Sequence, residues 1–187
     1  KRTSRIKLVV AASHIYRKNA NGLMDALALM TQKEQEKISV EWFGDRLKPP
    51  YYDNSYPEAL EKIRKYGLES IVKFFPATDQ LCSRIQKADA VGLFSFNEGL
   101  PNTICEAMSC GKPVICSAVS DIPDWLSYDQ NLLFDPADPV SIKNSLLHLI
   151  HSYDSYLEEL GRINREIALK KFRGEDIIKD YLKILSR

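Results

Sequence analysis

The stretch AVGLFSFNEGLPNTICEAMSCGKPVIC, residues 90–116, carries one complete folding unit. Residues 90–94 are a short apolar run, which predicts a buried strand. Residues 95–100 form a polar, glycine-bearing loop. Pro101 is expected to open a helix, because a proline in the first turn removes no intrahelical hydrogen bond. That helix reads to about Cys110, with Gly111 as its C-terminal cap and Pro113 beyond it. Residues 114–116 are a second apolar strand. A strand, a loop, a crossover helix and a strand make a βαβ unit, which is the building block of a parallel sheet.

The same alternation extends in both directions. Residues 6–12 read as a first buried strand, followed by a helix with Leu23, Ala26, Leu27 and Met30 on one face. Residues 38–43 are the second strand, closed by Gly44 and Asp45. Residues 46–56 hold a Pro-Pro pair and several tyrosines and read as an ordered loop. Pro57 suits the first turn of a helix that stops at Gly67. Residues 71–75 are the third strand, and residues 79–87 the next helix, with Asp79 as its N-cap. Residues 121–126 make one helical turn, and residues 132–134 a short sixth strand. From Asp138-Pro139, a capping residue followed by a first-turn proline, the pattern is helical to the end. Its apolar positions include Ile142, Leu146, Leu149 and Ile150, then Tyr156, Leu160, Ile163 and Ile167, then Ile177, Ile178, Tyr181, Leu182 and Leu185. The expected fold is α/β: a Rossmann-like, doubly wound, mostly parallel sheet of about six strands with helices on both faces. One domain spans residues 1–187, and residues 139–187 are its helical segment. Ligands in such sheets bind outside the carboxyl ends of the strands.

Composition excludes several classes. The 187 residues are 44% hydrophobic and 27% charged, and 26 basic against 25 acidic side chains leave a net charge of +1. That balance lacks the basic footprint of a nucleic-acid binder. No apolar run approaches the roughly 20 residues that span a bilayer. No signal peptide is expected, and the polar opening KRTSR reads as a linker, so a domain from a longer protein is anticipated. Cys82, Cys105, Cys110 and Cys116 show no CxxC spacing and read as reduced, mostly buried thiols. His14, His148 and His151 have no cysteine at ligand spacing, so no metal site is expected. His14 reads as a structural or solvent-facing residue. No GxGxxG follows the first strand, which argues against a dinucleotide cofactor there.

Residues 97–106 carry the chemistry. Gly99 permits a tight turn and a close backbone approach to a ligand. Around Pro101 the N–H groups of Leu100, Asn102 and Thr103 precede the first helical bonds. A helix end of this kind attracts anions. Glu106 lies about 7.5 Å further along the axis, on the face of Asn102, Thr103 and Ser109. Ile104, Ala107 and Met108 face the other way, toward the sheet. A carboxylate beside an anion site can accept two hydrogen bonds from a vicinal diol such as ribose. Glu98, on the other side of that site, can accept from sugar hydroxyls. Two acceptor carboxylates around a donor-rich helix end match a nucleoside diphosphate sugar.

Residues 98–106 resemble the E-x7-E motif of the retaining GT-B glycosyltransferases, glycosyl transferases group 1, in its EGLP form. Residues 88–95, 106–115 and 131–138 resemble the segments that flank that motif, and Tyr16-Arg17-Lys18-Asn19 resembles the family's basic loop. The resemblance implies half of a GT-B fold: a C-terminal domain that binds the donor, with an absent N-terminal domain binding a glycan or lipid-linked acceptor. It implies that Lys18 contacts the donor phosphates and Glu98 the transferred sugar, as the catalytic residues. Gly99, Leu100, Pro101, Asn102 and Thr103 would cradle the diphosphate, Glu106 would hold the ribose, and Phe75 would approach the base. The donor would be UDP- or GDP-linked, with no cofactor and no metal, and transfer would retain anomeric configuration. The family's Arg, five or six residues before the Lys, is replaced here by Ser13 or Ala12, and Arg17 is the candidate substitute. The acid that follows a Gly-Gly turn in the family stands here as Asp124, without that turn. A degenerate nucleotide-sugar-binding module and a nucleotide-sugar epimerase of the same architecture are the alternatives. Polysaccharide synthesis in the cytoplasm, or at the inner face of the membrane, is the expected setting, with no direct membrane span.

Overall fold

Successive side chains of a strand point to opposite faces, and a continuous apolar run makes the first strand two-sided. In β1 (Ile6–Ala11), Leu8 and Val10 enter one core and Val9 the other. Both faces must therefore be covered, as in parallel sheets generally. The protein is represented by a computed structural model that describes residues 5–47 and 53–185, and the backbone alone at 176, 177 and 179–181. Within it β2 is Ile38–Phe43, β3 Val72–Phe75, β4 Ala90–Leu93, β5 Val114–Ser117 and β6 Leu133–Phe134. Among the described residues these six form one sheet in the order β3-β2-β1-β4-β5-β6. Every pairing is parallel, with Leu8 beside Val40 on one side and Ala90 on the other. The expected Rossmann-like, doubly wound sheet is therefore present.

The helices are α1 (Ala20–Ala28), α2 (Gln32–Gln35), α3 (Ser55–Lys65), α4 (Leu81–Gln86), α5 (Asn102–Ser109), α6 (Ile122–Trp125), α7 (Pro139–His151), α8 (Asp154–Lys171) and α9 (Gly174–Leu185). Leu23 and Leu27 of α1, Ala59 and Ile63 of α3, and Ile142 and Leu146 of α7 fill the core on one face. Ile85 of α4 and Ile104, Ala107 and Met108 of α5 fill the other. Helix α8 spans the two, with Leu157 and Leu160 in the first core and Ala168 in the second. Its Gly161 allows α5 and α8 to touch: a Cβ there would lie 2.2 Å from the Gly111 carbonyl oxygen. Asn164 on the same helix face donates to the Lys112 carbonyl at 2.7 Å.

Some local expectations are corrected. Asp79 does not cap α4: Gln80 takes that position, and Thr78 Oγ1 accepts from its N–H at 3.1 Å. Leu132 belongs to a 3-10 turn, Gln130–Leu132, and β6 starts one residue later. The loop expected over residues 46–56 ends sooner, because Ser55 and Tyr56 are helical, and residues 48–52 fall outside the described residues. Asp138 caps α7 as expected, accepting from Val140 N–H at 2.8 Å. The thiols are less buried than their spacing implied. Cys116 is buried, Cys105 and Cys110 are half-buried, and Cys82 is exposed.

His14 is a core residue. It is 4% exposed and packs against Trp42, Tyr56 and Phe74, with ring centroids 5.8, 4.7 and 4.6 Å away. Its Nδ1 is buried without a hydrogen-bond partner among the described residues. Burial, reinforced by the Arg46 charge and opposed by Asp45, lowers its pKa from 6.5 to about 4.

Two outcomes follow for stability. Gly161→Ala forces α5 and α8 apart and is expected to cost about 2 kcal/mol, or roughly 4–8 °C in Tm. A melting curve unchanged from the parent would contradict the close contact. For His14, the unfolded chain binds more protons between pH 6.5 and about 4. Stability is therefore full above that window and falls as pH drops through it. Urea unfolding should show a loss on the order of 2 kcal/mol between about pH 7 and about pH 4.5. His14→Phe, which keeps a ring without the titration, should flatten that slope.

Candidate active site

The basic loop begins where β1 ends. A 3-10 turn, Tyr16–Lys18, is closed by Asn19 in the left-handed conformation (φ 58°), which asparagine tolerates better than most residues. Asn19 is 5% exposed. Its Oδ1 accepts from Gly22 N–H at 3.1 Å, capping α1, and its Nδ2 donates to the Pro136 carbonyl at 2.8 Å. Lys18 is thus set one residue before a pinned corner.

The loop after β4 runs against this turn. Phe96 N–H donates to the Arg17 carbonyl at 2.9 Å. The Tyr16 and Phe96 rings stack with centroids 5.1 Å apart. Lys18 Nζ lies 2.6 Å from Glu98 Oε1, and these side chains are only 16% and 8% exposed. The Ser120 hydroxyl donates to the Glu98 carbonyl from the loop after β5. Ser120 has φ 53°, so a left-handed turn does occur beside Asp121 although no glycine marks it.

Helix α5 starts at Asn102, one residue later than expected, with Pro101 as its N-cap. The N–H groups of Ile104 and Cys105 bond to the Pro101 carbonyl at 2.9 and 3.2 Å. Those of Asn102 and Thr103 precede these bonds, and no side chain caps the helix. Thr103 Oγ1 donates to the Ala11 carbonyl at 3.0 Å, which fixes the positive end of α5 over the junction of β1 and β4. Gly99 has no left-handed φ, and a Cβ on it would meet nothing within 4 Å. The tight turn expected of it is therefore not what keeps it a glycine. Leu100 is 66% exposed.

Glu106 is exposed one turn into α5 and, with Thr103, lines a cleft of about 430 Å³. The other walls come from the ends of β1 and β2 (Ala12, Ser13, Gly44, Asp45) and from Ala77, Thr78 and Leu81. Phe75 is not among them. It stacks on Phe43 at 5.0 Å and lines an adjoining hollow of about 450 Å³ with His14, Arg46 and Tyr56. Arg17 is exposed and meets the site loop through its backbone. The structure thus brings Lys18 to Glu98, with the start of α5 following, beyond the ends of the central strands β1 and β4, while Glu106 lines a cleft whose walls include neither Lys18 nor Glu98. The sequence placed Tyr16 and Asn19 in the basic loop without a role and did not single out Ser120 or Phe96. Only Asn19, an asparagine just before a helical run, carried a local signal.

A sequence model of the family described as "Glycosyl transferases group 1" matches residues 5–152. The chain is 30% identical over 160 residues to the O-antigen chain mannosyltransferase B of Escherichia coli, covering 86% of this chain and 40% of that protein. It is 25% identical over 123 residues to the N-acetyl-alpha-D-glucosaminyl L-malate synthase of Bacillus anthracis, covering 65% of this chain and 32% of that one. The crystal structure of Anabaena HepE in complex with UDP and glucose superposes with a TM-score of 0.84 at 22% identity, over 98% of this chain and 48% of that chain. At that identity the likeness concerns the fold, which is the GT-B Rossmann-like one. The chain spans less than half the length of each of these proteins. The family match takes in Lys18, Glu98 and Glu106 alike, and the chain belongs to the glycosyl transferases group 1 family.

Proposed function

We propose that this chain is the donor-binding lobe of a retaining glycosyltransferase, which takes a nucleoside diphosphate sugar and acts with an acceptor-binding lobe elsewhere in the whole protein. The observation that carries this reading is the Lys18–Glu98 pair, 2.6 Å apart, beside the uncapped end of α5. The diphosphate lies at that helix end, where the Asn102 and Thr103 N–H groups and the Lys18 ammonium meet its charge. Glu106 accepts from the ribose diol. The base extends along the cleft toward Gly44, Ala77 and Leu81. Glu98 accepts from hydroxyls of the transferred sugar.

Chemistry follows from charge. As the glycosidic bond to the diphosphate breaks, negative charge grows on the leaving oxygen. The helix end stabilises that charge without reorganising, which is the largest single contribution in many enzymes, and Lys18 adds to it once its ammonium is shared with the diphosphate. The acceptor hydroxyl attacks from the same face, passes its proton to the departing diphosphate oxygen, and the configuration is kept. Arg17, exposed beside Lys18, supplies further positive charge.

Because Lys18 is already held by Glu98, an incoming diphosphate competes with a carboxylate for the same ammonium. Opposite signs are therefore expected from two substitutions. Glu98→Gln releases Lys18 and should tighten UDP about threefold by calorimetry, while lowering transfer by the whole protein about a hundredfold. Lys18→Ala should weaken UDP about tenfold. Weaker UDP binding in Glu98→Gln would refute the competition.

Glu106→Ala removes two hydrogen bonds to ribose and should weaken UDP about tenfold. An affinity within about twofold of the parent would remove the ribose role. Ser13 and Ala12, where the family carries an Arg, favour a second reading in which the lobe binds donor without transfer. UDP released by the whole protein only when acceptor is present distinguishes transfer from that reading. Conversion of the donor to its epimer without acceptor, the nucleotide still attached, would instead indicate an epimerase.

A further inference from the structure

Cys82 and Cys110 meet on the surface although neither the spacing nor the fold family draws attention to them. Their sulfurs are 3.9 Å apart, 28 positions apart in the chain. Cys82 is the second residue of α4, and Cys110 caps the C-terminus of α5. Cys82 is exposed and Cys110 half-buried, so reagents in solution reach the pair. Cys116 differs: it is fully buried in β5, and burial pushes its thiol pKa far up. Cys105 is half-buried and its thiol pKa is also raised by burial.

The two helices wall the cleft described above. Leu81, the neighbour of Cys82, lines it from α4, and Thr103 and Glu106 line it from α5. Cys110 is tied to that wall directly, because its N–H bonds to the Glu106 carbonyl at 2.9 Å. A covalent link between the sulfurs would need them to close to about 2.05 Å. Side-chain rotation and a small approach of the short helix α4 toward α5 supply that movement.

We propose that Cys82 and Cys110 are a reversible modification site, which a low-molecular-weight disulfide converts to an intramolecular disulfide that clamps α4 to α5 beside the cleft. The step balances as two exchanges. The exposed Cys82 thiolate attacks one sulfur of the reagent, forms a mixed disulfide and expels one reagent thiolate. The Cys110 thiolate then attacks the Cys82 sulfur, forms the Cys82–Cys110 bond and expels the second. The protein pair loses two electrons and two protons, and the reagent disulfide is reduced to two thiols. Burial and the neighbouring Cys82 raise the Cys110 thiol pKa, which assigns the first attack to Cys82.

Glutathione disulfide is the probe, and peptide mass spectrometry after alkylation is the readout. The expected product joins residues 82 and 110, is two hydrogens lighter than the dithiol, and reverts with dithiothreitol. Cys82→Ser and Cys110→Ser should each abolish it and leave only a glutathione adduct. Mixed disulfides alone in the parent chain would overturn the site. The clamp is read without any ligand: amide exchange over residues 81–86 should slow about tenfold on oxidation of the parent and stay unchanged in Cys82→Ser. Unchanged exchange in the oxidised parent would overturn the clamp. The consequence for the cleft rests on the function proposed above: oxidised chain should bind UDP about threefold more weakly than reduced chain. Failure of the reduced chain to bind UDP would count against that function, while the mass and exchange results still decide the disulfide.

Discussion

A parallel strand with a neighbour on each side must send its connections over one face of the sheet or the other. β1 lies between β2 and β4, and the two chains leaving that centre go opposite ways. Helix α1 follows β1 and packs into the core that holds α3 and α7. Helix α5 follows β4 and packs into the core on the other face. No single helix can therefore roof the ends of both strands, and a crevice remains between them. Thr103 sets its depth, since the hydrogen bond to the Ala11 carbonyl ties the first turn of α5 to the end of β1.

Two loops fill the rim of that crevice, and they hold each other. A backbone hydrogen bond from Phe96 to Arg17, a stacked ring pair and a buried ion pair join them within a few residues. Lys18 and Glu98 are both largely withdrawn from water, so their mutual attraction acts in a poorly screened setting and offsets their desolvation. The pair is neutral as a unit. What remains to attract an anion is the helix end, reinforced by Lys18 once the ammonium is shared. Glu98 is in turn held from behind by Ser120, in a conformation that a side chain adopts only at a cost.

Membership of the glycosyl transferases group 1 family and a chain that spans less than half of its relatives bear on each other. On the function proposed above, the Lys18–Glu98 pair and the Glu106 wall of the cleft serve one donor. The back of the lobe is built differently. Gly161 and Asn164 let α8 lie directly on the turn after α5, so the helix that carries Glu106 is braced at its far end. Helix α4 is short and supplies Leu81 to the wall of the same cleft.

The succession of strands and helices, the parallel sheet and the segment that holds the site are all legible in the chain before any packing is known. These are properties of periodicity, caps and proline placement, each of which is local. β2 falls on the expected residues, and Asp138 caps α7 as its neighbours require. Gln80 stands where Asp79 was expected as the cap and makes no side-chain cap bond; its N–H goes to Thr78 instead, which the path of the chain decides. Tertiary structure alone decided that Lys18 sits on Glu98, 80 positions away, that Ser120 adopts the left-handed turn without a glycine, and that His14 is a core residue. It also decided that Cys82 meets Cys110. Contacts of that kind depend on which elements pack side by side, and no short window of sequence records the distance between two loops once the sheet has formed.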